Sequence, residues 1–373
     1  MLHSRCSMHI SLISRECVPR YGRNPPGAPP INRHQVTRIA SLAVGLIVLL
    51  AFLFYVGIGT IVNTLLSVNP FAIILMVAIQ LLGYGFYSAA WYQLIVAAGY
   101  RLPFKTCFGI AMASIFAVYV TPSGVFMEIL RCLLGSKETG MPFGESTASV
   151  ILHRILYIVG FLAITSFGLF AILSGNTSDS MSIVVLASIP IATVAALAVL
   201  LYVSLDAKKI APALERLLMF AQPLIRRIQK EAVIEGKADR FLGEYDSGFR
   251  RMASSRRGML LSFLASLGDW SCSVAILWIA LFALNVNVSV WVAVITVSIG
   301  RMIQMTPIAI PGMIGVYETA ITTVLTLFGV PVSIAASAAI LSRIVTVWLE
   351  LPITGIAAYH YGFKLIGTSS IHV

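Results

Sequence analysis

Several stretches of this 373-residue chain run without a charged side chain for longer than a bilayer is thick, among them Ile39–Gly59, Phe71–Gly99 and Met181–Leu205. An uncharged apolar run of about 18 residues is already long enough to nominate a membrane-crossing helix. Only 11% of the residues are charged and 58% are hydrophobic. A soluble domain carries roughly 25% charged residues. The expected fold is therefore an all-α polytopic membrane protein.

The chemistry-bearing residues exclude several classes. The five cysteines (Cys6, Cys17, Cys107, Cys132, Cys272) are scattered, odd in number and form no CxxC, which indicates neither a disulfide framework nor a zinc site. The six histidines are equally dispersed. No metal site, cofactor or catalytic residue is expected, and no Walker A motif is present. A net charge of +11 suggests nucleic acid at first sight. The basic residues, however, sit in loops beside apolar runs, which is the signature of membrane topology, so no nucleic-acid partner is expected.

A pattern occurs twice, 189 residues apart. The first copy reads Pro122-Ser123-Gly124…Glu128, then Gly140-Met141-Pro142, then His153-Arg154. The second reads Pro311-Gly312-Met313…Glu318, then Gly329-Val330-Pro331, then Ser342-Arg343. Only the glutamate slips by one position. Broken, charged segments at corresponding places in two halves of a hydrophobic protein point to a transporter site.

Charge asymmetry orients the spans. The tail 1–38 holds six arginines, one acid and a Pro-rich run, a composition that cannot bury a core, and is expected to be disordered and cytoplasmic. Residues 206–257 carry 12 Lys/Arg against seven acids and should be cytoplasmic as well. The loops Thr60–Pro70, Ser174–Ser180 and Asn285–Asn287 contain no Lys or Arg and should face outward. These constraints close only if Phe104–Glu145 enters and leaves from the cytoplasmic side, as a hairpin broken at Pro122 and Gly124. By the same logic Val288–Phe328 is a hairpin from the outside, broken at Pro311, Gly312 and Gly315, and Ile334–Phe363 returns to a cytoplasmic C-terminus. The expected architecture is about six full spans plus two broken re-entrant hairpins in an inverted-topology repeat. Its parts are a first membrane repeat at 39–205, a basic cytoplasmic segment at 206–257, and a second repeat with a short tail at 258–373. Broken backbone at membrane depth must line a wet cavity or be buried in protein, so the hairpins are expected to meet near the midplane.

Charged residues in apolar segments cost roughly 2.5–3.5 kcal/mol each at a helix centre and need a partner or a polar cavity. Arg154 and Arg343, one per half, are candidate ligands for an anionic headgroup, because a planar guanidinium binds two phosphate oxygens at once. Glu128 and Glu318 fall in the first turns after the breaks, where a helix N-terminus favours a carboxylate. They are candidates for pairing with the arginines or for carrying a proton. The same Glu–Arg pairs would equally tie each hairpin to the following span. Arg131 and Arg301 complete the candidate set, although both are placed to snorkel to an interface. Asp269 and Glu350 are secondary candidates.

Pro190 and Pro352 are expected to kink spans. Tyr84, Phe86, Tyr87, Trp91 and Tyr92 read as interfacial anchors or packing. In Ile210–Arg257, Leu214, Leu217, Leu218, Ile225 and Ile228 interleave with Arg216, Arg226, Arg227 and Lys230. That spacing suggests an amphipathic helix on an anionic lipid surface.

The second motif, Pro311-Gly312-Met313-Ile314-Gly315-Val316-Tyr317-Glu318, resembles the Pro-Gly-Gly-x-Gly-x-x-Glu signature of the lysylphosphatidylglycerol synthase transmembrane family, the flippase-like membrane proteins. Pro122-Ser123-Gly124-Val125-Phe126-Met127-Glu128-Ile129-Leu130-Arg131 is similar to that family's first motif, and Arg154 matches the arginine after it. The resemblance covers roughly Thr37 to Gly362. Met313 and Phe126 stand where the family has glycine. In full-length synthases an aminoacyl-transferase domain follows; here the chain ends at Val373, so lysine transfer is not expected.

The resemblance implies a lipid flippase-like transporter of the cell membrane, moving an anionic phospholipid or a polyprenyl-phosphate-linked lipid between leaflets. Two alternatives stand beside it: an ion- or proton-coupled small-solute carrier, and a membrane-embedded lipid-modifying transferase. The expected partners are the lipid itself and, besides it, a second copy of the chain or an enzyme of lipid synthesis or glycosyl transfer.

Overall fold

The computed structural model describes residues 58–120, 125–173, 238–305 and 313–367, together with isolated positions 54, 191, 194, 195, 198 and 202. The tail 1–38, nearly all of Ile39–Gly59, Pro122, Gly124, Pro190, Pro311, Gly312 and the arginines and leucines at 214–230 lie outside the described residues. Within them the chain is helical and contains no strand.

Four helical stretches are long and apolar enough to cross a membrane: Pro70–Ala97, Phe143–Ile172, Arg256–Ala283 and Val332–Tyr361. The chain begins with α1 (Ile58–Leu66) and α2 (Pro70–Ala97). Asn69 caps α2 by accepting the Phe71 N–H at 2.9 Å, and Pro70 occupies the first turn, where its missing N–H costs nothing. Next come α3 (Phe104–Val120), α4 (Val125–Thr139) and α5 (Phe143–Leu173). At 1.5 Å per residue α3 is about 25 Å long and α4 about 22 Å, each short of a ~30 Å hydrocarbon core, whereas α5 exceeds it. The second half contributes α6 (Ala238–Ser254), α7 (Arg256–Ala283), α8 (Val290–Met305), α9 (Val316–Leu327), α10 (Val332–Arg343) and α11 (Glu350–Gly367).

The sequence repeat is also a repeat of local structure. Gly140 ends α4 at φ +69° and Gly329 follows α9 at φ +83°, a left-handed exit that glycine adopts without strain. Pro142 and Pro331 then start the next helices, their carbonyls accepting the N–H groups of Ser146 at 3.0 Å and Ala335 at 2.9 Å. Between α10 and α11 the helix widens into a π-turn at Ile344–Trp348. The cause is Pro352, which has no N–H to offer the Trp348 carbonyl and whose ring crowds that turn. The kink expected at Pro352 is thus a π-turn one turn upstream.

Packing is led by α2 against α7. Their backbones approach because small residues face the partner. A Cβ on Gly268 would stand 2.8 Å from the Phe86 ring, and one on Gly258 would stand 2.7 Å from the Ala97 methyl. Such small-residue seams are how helices associate in lipid, where apolar burial offers no driving force. Contacts also cross between the halves: α5 touches α8, and α11 touches α3. Polar bridges tie α5 to the second half, Thr165 Oγ1 to Ser298 Oγ of α8 at 2.8 Å and the Tyr157 carbonyl to Trp270 Nε1 of α7 at 3.0 Å. Large apolar side chains such as Phe71, Leu82, Phe170, Phe282 and Ile356 point outward, the arrangement lipid requires.

The helix α6 is different in kind. Tyr245, Phe249 and Met252 are buried against α5, while Arg240 and Arg250 are exposed and paired with Glu244 and Asp246 one turn away. Its apolar face therefore rests on protein; the amphipathic helix expected from Leu214 to Lys230 lies outside the described residues. Gly144 of α5 is the contact point, since a Cβ there would lie 2.6 Å from the Phe241 carbonyl oxygen. Arg251 is ion-paired with Glu145 and lies over the Tyr100 ring, 5.8 Å from its centroid.

Candidate functional site

Each repeat unit makes the Glu–Arg pair that its spacing suggested. In the first, Glu128 in the opening turn of α4 accepts from Arg154 Nε of α5. Its other oxygen lies 2.7 Å from Arg131 Nη2, a contact off hydrogen-bond alignment. In the second, Glu318 Oε1 accepts from Arg343 Nε at 2.8 Å. Glu318 Oε2 also accepts the Gly315 N–H at 2.6 Å, so the third residue of α9 reaches back to cap its own helix. Gly315 sits at φ +85°, ψ −45°, backbone space that a side chain opposes.

The two pairs are not equivalent. Around Glu128 there are two guanidinium groups for one carboxylate, leaving one positive charge in excess. Arg131 is 0% exposed, and its Nη1 donates to the Tyr87 hydroxyl at 2.7 Å. Its guanidinium carbon lies 5.3 Å and 5.6 Å from the Trp91 and Tyr87 ring centroids. It does not snorkel, because these two rings and Glu128 hold it inside. Arg154 keeps 31% of its side-chain surface and Glu128 keeps 21%. By contrast Arg343 and Glu318 keep 9% and 6%, a balanced and closed pair with Arg343 over the Tyr317 ring at 4.9 Å. Arg343 is thereby placed in a clamp between α9 and α10, and Arg154 at an open edge.

Arg301 of α8 forms a third position. Its Nη1 donates to Gln304 Oε1 at 3.1 Å and its Nη2 to Ser273 Oγ at 3.3 Å, while Nε is buried without a hydrogen-bond partner. Its guanidinium lies 5.9 Å from the Trp270 ring centroid. Among the described residues its hydrogen-bond partners are neutral, so unlike Arg343 it retains donor capacity for an anion. Arg301 and Arg154 share one neighbour, as both are within electrostatic reach of Tyr157.

Tyrosines make the remaining contacts. Tyr157 donates to Asp269 Oδ2 at 2.8 Å. Tyr84 and Tyr119 donate to the two oxygens of Glu350 at 3.0 and 2.7 Å. His153 is fully buried with both ring nitrogens unpartnered, edge-on to Tyr87 at 5.0 Å between centroids. Of the aromatic residues of α2 expected as interfacial anchors or packing, Tyr84, Tyr87 and Trp91 are buried packing, while Phe86 and Tyr92 are half-buried. Gln80, Tyr84, Tyr87 and Trp91 recur at helical spacing, all buried, and face the charges. That stripe, read together with Asp269 and Ser273 one turn apart on α7, was the available signal for the tyrosine positions.

Long apolar helices enclosing a charged, aromatic-lined interior define a multi-pass α-helical membrane protein. The family described as the lysylphosphatidylglycerol synthase TM region matches residues 38–353. This chain belongs to that family. It is also similar to a UPF0104 membrane protein of Methanocaldococcus jannaschii, 24% identical over 323 residues, covering 82% of this chain and 89% of that protein. A UPF0104 membrane protein of Archaeoglobus fulgidus is 27% identical over 257 residues, covering 66% of this chain and 74% of that protein. Another, from Methanothermobacter thermautotrophicus, is 20% identical, covering 86% of this chain and 94% of that protein.

Proposed function

We propose that this protein carries an anionic lipid headgroup across the bilayer, between two broken hairpins arranged as an inverted repeat with about six full spans. The observation that carries the reading is the charge imbalance at Glu128: two arginines face one carboxylate, and Arg154 keeps open surface deep among helices. A phosphate-type headgroup supplies the missing negative charge. Arg301, hydrogen-bonded to neutral partners among the described residues, is the second donor to the headgroup, and the Glu318–Arg343 clamp holds the second hairpin. Acyl or prenyl tails stay in lipid while the headgroup passes, so the polar part alone is kept from hydrocarbon.

In this reading the protein is a transporter of the cell membrane, not a group-transfer enzyme. The basic segment 206–257, which contains α6, and both termini lie on the cytoplasmic side, as the positive-inside rule directs. The repeat of Gly140/Gly329 exits and the reciprocal packing of α5 on α8 and α11 on α3 support the inverted arrangement.

The test is reconstitution into phosphatidylcholine liposomes containing an acyl-labelled fluorescent phosphatidylglycerol or a labelled polyprenyl phosphate. The protein should speed appearance of the anionic lipid in the opposite leaflet more than that of labelled phosphatidylcholine. Equal rates with and without protein for every lipid would reject the reading in favour of a small-solute carrier or a transferase.

A further inference from the structure

Glu350 is the first residue of α11 and directly follows the π-turn and Leu349. Its two carboxylate oxygens are each met by a tyrosine hydroxyl, Tyr84 from α2 and Tyr119 from α3. Neither the headgroup donors nor the α9–α10 clamp uses this carboxylate. The charged and titratable groups that face it are Tyr84 and, behind it, Gln80 on α2, Tyr119 on α3, Asp269 on α7, Arg301 on α8 and Arg343 beyond the π-turn. Asp269 is in turn held by Tyr157 of α5. Two carboxylates, each met by tyrosine hydroxyls, thus lie in the electrostatic surroundings of Arg301, whose Nε has no hydrogen-bond partner among the described residues.

We propose that Glu350 is the site at which a proton enters and leaves during each transport cycle, so that lipid and proton move together. This rests on the lipid-translocation reading. In the empty protein Arg301 provides the opposite charge that lets Glu350 remain a carboxylate. A headgroup phosphate arriving at Arg301 takes over part of that charge. Glu350 is then left as an uncompensated anion away from water, and binding a proton is the least costly remedy. The step is a simple acid–base exchange. An O–H bond forms at one Glu350 oxygen with a proton from water on one side, while the tyrosine at that oxygen turns from donor to acceptor. The O–H bond breaks to water on the other side once the headgroup leaves. Because anion and proton favour each other's binding, they travel in the same direction. A metal cation in the same place would have to sit beside the Arg301 guanidinium, which repels it. Tyrosine hydroxyls on both oxygens serve proton exchange directly, and the adjoining π-turn is the kind of irregularity that recurs where helices must rearrange.

The test uses the full chain in phosphatidylcholine liposomes with acyl-labelled fluorescent phosphatidylglycerol, read by albumin extraction. A pH step that acidifies the side the lipid leaves should speed transfer by at least about fivefold, within the usual range of coupling between sites. A sodium gradient should have no effect. Glu350→Gln, which keeps shape but cannot exchange a proton, should abolish the response to the pH step, and Tyr119→Phe should weaken it. Transfer by the wild type that ignores the pH step, or a Glu350→Gln protein that responds as the wild type does, would overturn the proton site and leave the lipid reading intact. A sodium gradient that drives transfer in place of the pH step would also overturn it. A wild type that moves no lipid but discharges the pH step faster than Glu350→Gln would reject the lipid reading and keep the proton site.

Discussion

Glu318 and Arg343, 25 residues apart in sequence, meet at 2.8 Å in a closed setting, and the same carboxylate also caps the helix that carries it. Removing the arginine leaves a buried anion without its counter-charge, which costs about 3–5 kcal/mol where burial is complete. Arg343→Ala should therefore lower the apparent Tm of the detergent-solubilised protein sharply. The double variant Arg343→Ala/Glu318→Gln should recover part of that loss, because the orphaned charge is gone. An unchanged melting curve for Arg343→Ala would contradict the clamp.

Arg154 should behave in the opposite way. Its side chain is 31% exposed, and Glu128 keeps Arg131 as a partner without it. Arg154→Ala should leave the melting temperature close to that of the wild type and lower lipid transfer by about tenfold or more, the loss of one charge-assisted contact. Arg154→Lys should restore transfer only in part, since an ammonium lacks the two-pronged geometry. Normal transfer by Arg154→Ala would remove this residue from the headgroup site.

Much of this arrangement was legible from a fixed offset. Because Glu128, Arg154, Glu318 and Arg343 recur with nearly constant spacing in apolar surroundings, their pairing followed from the cost of isolated charge in a membrane. The difference between the two pairs was not legible, since it depends on Arg131 turning inward between Tyr87 and Trp91. The Tyr84, Tyr119 and Tyr157 contacts were hidden for a related reason. A tyrosine in an apolar helix looks like packing until the carboxylate it faces, 266 residues away for Tyr84, is placed by the fold. At Met313 the chain departs from a family glycine, yet the residue keeps φ +51°, the left-handed backbone that a glycine suits.

Gly315 gives a backbone test of the second hairpin. At φ +85° an added Cβ is strained, on the order of 1–2 kcal/mol. Gly315→Ala should reduce the Tm and misplace the N–H that Glu318 accepts. A variant as stable as the wild type would mean that the turn relaxes freely.

The docking of α6 rests on contact with backbone rather than with a flexible side chain. A Cβ on Gly144 would meet the Phe241 carbonyl oxygen at 2.6 Å and the Tyr245 nitrogen at 2.9 Å. Gly144→Ala should therefore loosen α6 by about 1–3 kcal/mol, the usual cost of overpacking. Limited proteolysis should cut near Arg240 faster in the variant; an identical digestion pattern would argue against this contact.

Sidedness is open to single-cysteine labelling. Arg240 and Asn287 are both exposed and lie on opposite sides of the long helix α7. In a cysteine-free background, Arg240→Cys should react with an impermeant reagent only from the cytoplasmic face and Asn287→Cys only from the outer face. Labelling of both from one face would break the topology.

The π-turn has a consequence for register. Arg343 and Glu350 are seven residues apart, and in an unbroken α-helix that is two turns, so both would project from one face. One residue too many in the Ile344–Trp348 turn rotates everything after it by about 100°. Arg343 thereby looks toward α9 and Glu350 toward α2 and α3. A single extra residue acts as an insulator, keeping a cation and an anion of the same helix from neutralising each other. Closing the turn into regular α-helix at the same seven-residue spacing would bring the two onto one face, merging two separate circuits into a single inert pair.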